Sequence, residues 1–139
     1  MNRGGESTGG AAASIGALIP AVPDLERRDL AELRVEMSPP AYDLPVLVNF
    51  EAPVEWLRLE REGGAWKVAP ADDTKLFDEA RSVRAGELIA ARPDVGEMLS
   101  LPVGFSVIMD RAGIVEVLDP QRQPAWRRRD QGRSSEQSR

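Results

Sequence analysis

The sequence predicts an α+β domain of about six short, mainly antiparallel strands with two or three short helices. Three observations point to it. Apolar and polar residues alternate with period two in several short stretches, the mark of half-buried strands. Glycine-containing turns join two pairs of these stretches into hairpins. Between the hairpins the apolar spacing changes to i, i+3, i+4, which is helical.

Residues 1–23 are rich in Gly, Ala and Ser and end at Pro20 and Pro23. They carry little apolar surface to offset ordering entropy, so a disordered leader is expected. A secretory signal is the weaker reading: only Arg3 precedes the apolar stretch 11–22, and Ser14, Gly16 and Pro20 interrupt it. A cytoplasmic location away from the membrane is the corresponding expectation.

From Asp24 a short capped helix is predicted, with Leu25, Leu30 and Leu33 on one side. Glu32 to Met37 then alternates as a strand, with Leu33, Val35 and Met37 inward. Leu44 to Phe50 repeats the pattern, and Pro45 places its start at an edge or a bulge. Val54 to Glu60 and Ala65 to Ala69 form a hairpin through Glu62-Gly63-Gly64, whose glycines are expected to supply positive φ. Two large apolar neighbours, Trp56 and Leu57, break the alternation there, which predicts a bulge or burial on both faces.

Asp72, Asp73 or Thr74 can cap a helix bearing Leu76, Phe77 and Ala80. After Val83, residues 85–91 form a turn of helix with Leu88 and Ile89 apolar. Arg92 is pushed out of helical geometry by Pro93, and a second helix follows with Val95, Met98 and Leu99. Leu101-Pro102-Val103-Gly104 turns the chain into a last hairpin, Phe105 to Met109 and Ile114 to Leu118. Residues 121–139 lack periodicity and are expected to be a basic tail, leaving a single domain over 24–120.

Charge is divided along the chain. Residues 24–120 hold 20 acidic and 11 basic residues, a net −9, whereas 121–139 hold six arginines against two acids, a net +4. An acidic domain repels phosphate and favours basic protein partners, so no nucleic acid is expected on the folded part. The chain has no histidine and no cysteine. Ser–His, Cys–His and HExxH chemistry cannot be built from it, and no SxxK occurs. A non-enzymatic protein-binding module is the resulting expectation, with no catalytic residues, no metal and no cofactor.

The stretch Ala91 to Gly113, preceded by Gly64-Ala65-Trp66 and Asp72-Asp73, carries a family likeness. Pro93, Val95, Leu99, Pro102, Gly104 and Val107 sit where bacterial immunity proteins of the immunity protein 33 type, formerly a domain of unknown function, place a helix, a Pro–Gly corner and a strand. The chain resembles the C-terminal half of that family over about 50 residues. It departs after Trp66, where Lys67-Val68-Ala69-Pro70 replaces the usual aromatic and acidic residues. The resemblance implies a cytoplasmic protein that neutralises a cognate toxin by binding it.

Candidate partner contacts are Trp66, expected to be the more exposed of two hairpin tryptophans, and the acidic group Asp72, Asp73, Asp78 and Glu79. The tryptophan would be an interface anchor, and the carboxylates would meet arginines of a basic toxin domain. Helix capping is the alternative role for the acids, and core packing for the tryptophan. Trp126-Arg127-Arg128-Arg129 reads as a solvated tail or as an arm for nucleic acid or anionic lipid, and in a second functional reading the basic tail tethers a structural or adaptor subunit in a secretion or phage assembly.

Overall fold

The computed structural model describes residues 11–33, 35–50, 52–72 and 81–128. A seven-stranded sheet is covered by helices on one face. Its strands are β1 (Pro45–Val48), β2 (Leu57–Glu62), β3 (Ala65–Pro70), β4 (Arg81–Arg84), β5 (Ser106–Asp110), β6 (Gly113–Leu118) and β7 (Pro124–Arg127). They lie in the order β4-β1-β3-β2-β5-β6-β7, antiparallel throughout except for the β1–β3 pair. The helices are α1 (11–16), α2 (Asp24–Ala31), α3 (Ala85–Ala91) and α4 (Gly96–Leu99), with a 3-10 turn at Pro93–Val95. The α+β class is as expected.

Strand register explains the core. Val83, Val46 and Trp66 align across β4, β1 and β3, and Val48, Val68, Leu59, Val107 and Val117 align across β1, β3, β2, β5 and β6. All of them are buried, and the helices close over them with Ile15, Leu30, Leu88, Val95, Met98 and Leu99. Each large side chain fully removed from water contributes roughly 1.5–3 kcal/mol, so this single face holds most of the driving force. The opposite face carries Leu47, Lys67, Glu60, Arg58, Ile108 and Glu116 at the alternate positions, all half-buried.

Several local expectations hold. Arg92 adopts φ −138°, ψ 79° and ends α3, while Val95, Met98 and Leu99 are fully buried. Pro45 corrects its expectation: it lies neither at a sheet edge nor at a bulge but is the first residue of an interior strand, a position that tolerates proline. Gly104 takes φ +96° at the corner into β5; a Cβ there would lie 2.9 Å from Pro120 Cγ. The Pro–Gly corner is therefore a packing device.

Others need correction. The boundary at residue 24 cuts through packed structure: Ala12, Ile15, Leu18, Ile19 and Val22 are buried in the core. The Arg92 guanidinium clamps this segment, donating from Nη1 to Gly16 O (2.6 Å) and Ile19 O (2.7 Å) and from Nη2 to Pro20 O (3.1 Å). Asp94 holds the same guanidinium at 2.8 Å and accepts from Val22 N at 2.9 Å. These bonds tie down the Gly16 carbonyl at the end of α1 and the Ile19 and Pro20 carbonyls in the turn that follows it. The boundary at 121 also fails, because residues 124–127 form β7.

The described residues between Glu32 and Met37 form no strand. Leu33, Val35 and Met37 do pack against the core, so the alternation reports one-sided burial without ladder pairing. Leu25 is 61% exposed although Leu30 is buried, since five residues along a helix turn the side chain well away. The β2–β3 hairpin closes through Gly63-Gly64, but neither glycine has the positive φ expected of it. No bulge surrounds Trp56, because β2 starts only at Leu57. The helix predicted on Leu76, Phe77 and Ala80 lies outside the described residues.

Candidate interaction surface

The two hairpin tryptophans exchange the places expected of them. Trp66 lies on the helix-covered face and is completely buried. Its indole Nε1 donates to Leu99 O at 3.0 Å, beside Arg61 Nη1, which donates to Leu101 O at 3.1 Å. Both fill carbonyls at the C-terminal end of the α4 region, a structural duty that leaves Trp66 unable to touch a partner.

Trp56 is the exposed one, at 48%. Leu57 and Leu59 are buried with strand period, so the residue before Leu57 points away from the core. Trp56 O accepts from Ala71 N at 2.9 Å, which brings Asp72, the next residue, to the same end of the sheet. Asp72 and Glu55 are both exposed there. Arg58 reaches in from β2, donating from Nη1 to Ala71 O at 3.0 Å and pairing with Glu60 at 3.3 Å. Asp73, Asp78 and Glu79 lie outside the described residues. Leu57 fixes the strand phase in the sequence, a signal that could have identified Trp56 as the outward tryptophan.

Other exposed apolar groups are scattered. Tyr42 is 59% exposed but lies against Gly86, where any Cβ would meet the ring at 2.0 Å. Val103 sits at the turn after α4. A shallow open depression of about 310 Å³ between α1 and α3 is lined by Ala13, Gly16, Ala17, Ile19, Ala21, Ala91 and Arg92. Its one charged side chain, Arg92, is spent on the carbonyls of residues 16, 19 and 20.

A second group of charges joins α2, the β5–β6 turn and β7. Glu26 is buried and accepts from Ile114 N at 2.7 Å; burial pushes its carboxyl above the ordinary range. Gly113 makes room for it, since a Cβ there would lie 2.6 Å from Glu26 Oε1. Arg128 forms a two-pronged pair with Asp110 at 2.6 and 3.0 Å, which holds Asp110 below the usual carboxylate range. Trp126 Nε1 donates to Asp29 at 3.0 Å, and Arg127 pairs with Glu116 at 3.6 Å. Residues 126–128 are thus built into the sheet and are not the free tail expected of them.

Among the described residues no group of three or more His, Cys, Asp or Glu side chains could hold a metal ion. No helix among them is long and apolar enough to cross a membrane. Compared with known proteins, the chain matches no family model, no curated protein and no solved structure.

Proposed function

We propose that this chain is a non-enzymatic protein-binding module, an immunity protein that neutralises a bacterial toxin by holding a basic surface of it. The observation that carries the reading is Trp56, half-exposed between Glu55 and Asp72 at one end of an acidic domain's sheet. A tryptophan in that position supplies apolar contact area, and the flanking carboxylates favour Arg or Lys on the partner. The carboxylates gathered elsewhere are already engaged: Glu26 by Ile114 N, Asp29 by Trp126 and Asp110 by Arg128. The sequence also lacks imidazole and thiol groups. Both facts favour binding over turnover.

The tethered-adaptor reading loses ground, because Trp126, Arg127 and Arg128 are committed to β7 and its neighbours. Deleting 121–139 would remove a strand, so the deletion that distinguishes the two readings begins at residue 129. The direct test is growth of cells expressing a toxin gene adjacent to this one. The full chain should protect them, and Trp56→Ala combined with Asp72→Asn should weaken protection. Equal killing with and without the chain would contradict the proposal.

A further inference from the structure

The last strand is held differently from the others. Each of β1 to β6 contributes at least one buried residue, whereas β7 contributes none. Ala125 and Trp126 pack against the rim of the core, and charge and hydrogen bonding from three separate elements supply the rest of the hold on β7. Asp29 of α2 takes the Trp126 indole, Glu116 of β6 takes Arg127, and Asp110 of β5 takes Arg128. The backbone adds Arg128 N to Val115 O at 2.8 Å, and Arg128 Nε donates to Ile114 O at 3.2 Å.

We infer that β7 occupies a strand-addition site on the outer edge of β6 whose other occupant is a basic extended segment of the partner protein. Removing residues 124–128 would leave an unpaired strand edge bordered by Glu26, Asp29, Asp110 and Glu116, with Asp110 and Glu116 stripped of their arginines and Asp29 of its indole donor. An unpaired edge recruits an incoming strand through backbone hydrogen bonds, and side-chain partners then set specificity. A strand placing cations where Arg127 and Arg128 now stand would satisfy both. Residues 124–128 are in this sense an internal copy of the ligand, and they keep the edge covered until a better one arrives.

The inference rests on reading the chain as a protein-binding module, and its test is separable from that reading. A labelled peptide with the sequence of residues 123–128 is titrated into the full chain and into the Arg127→Ser/Arg128→Ser double variant. The double variant should bind it at least about tenfold more tightly, the effect of freeing one charge-assisted pair. Adding Asp110→Asn and Glu116→Gln should abolish the gain, and a peptide with both arginines changed to glutamate should not bind. Equal affinity for the two proteins, or equal binding of the glutamate peptide, overturns the inference. Should the double variant fail to fold, amide exchange on the unaltered full chain decides. Amides 125–128 exchanging about tenfold faster than those of β2, β3 and β5 support a displaceable strand, and exchange in step with them overturns it. Peptide capture without toxin protection would sink the immunity reading and leave the edge site standing; protection without capture would do the reverse.

Discussion

Asp94→Asn is the substitution that most sharply tests whether residues 11–22 belong to the fold. Asp94 holds the Arg92 guanidinium through two 2.8 Å bonds and accepts from Val22 N, while Arg92 carries the carbonyls of residues 16, 19 and 20. The Arg92 hydrogen bonds lower the Asp94 carboxyl from 3.8 to about 2. A shift of that size corresponds to about 2.4 kcal/mol favouring the ionised form. Solvent reaches part of the pair, so a loss of about 1–2 kcal/mol in the variant at neutral pH is the better expectation. The sign follows from a depressed carboxylate. Its stabilisation is fully present well above pH 3.8 and is lost as pH falls through about 2, with about half gone near pH 3. Urea unfolding of both proteins at pH 7, 4 and 3 measures this. The gap between them should narrow over that range, and amides in 17–22 should exchange faster in the variant at pH 7. A gap that stays constant with pH, or unchanged exchange in 17–22, would refute the clamp.

Further outcomes follow from the same geometry. Gly104→Ala should cost about 1–3 kcal/mol, because it adds a strained φ of +96° to a 2.9 Å clash with Pro120, whereas Gly63→Ala, with nothing within 4 Å and no positive φ, should be neutral or stabilising by about 0.4–1 kcal/mol; thermal melts compare them. Trp56→Phe should remove most of the acrylamide-accessible tryptophan fluorescence with little change in stability, while Trp66→Phe should cost about 2–3 kcal/mol through lost packing and the lost bond to Leu99 O. Glu26→Gln keeps an acceptor for Ile114 N and removes a buried charge, so it should match or exceed the parent at pH 7. With a raised carboxyl the parent is favoured by acid, so that advantage should close as pH falls toward 4.5 and below; unfolding midpoints across pH 7 to 4 decide.

The legible parts of the fold were those where local period and partner agree. Both hairpins, β1, α3 and the break at Arg92 could be read because alternation, turn residues and Pro93 act within a few positions of each other. In residues 11–22 the core-forming positions are masked by a composition rich in Ala with Gly and Ser. Yet Ala12, Ile15, Ile19 and Val22 recur at helix-like spacing, and that signal was present. β7 was illegible for a different reason: residues 124–128 owe their place to Asp29, Asp110, Glu116 and the core edge, all far away in sequence. The stretch 32–37 shows the converse: its sequence alternates, Leu33, Val35 and Met37 pack against the core, and its described residues form no strand. At the surface, Asp72 is exposed, and the strand phase set by Leu57 and Leu59 marks Trp56, not Trp66, as the outward tryptophan.

The central claim is that an acidic, tryptophan-bearing surface binds a cationic protein. Calorimetric titration of the full chain with the purified product of a candidate toxin gene, the partner the proposal calls for, tests this directly. A 1:1 complex that weakens as salt rises, and weakens at least about tenfold with Trp56→Ala, is the predicted result. No heat of binding at any salt concentration, or an affinity untouched by both salt and Trp56→Ala, would contradict it.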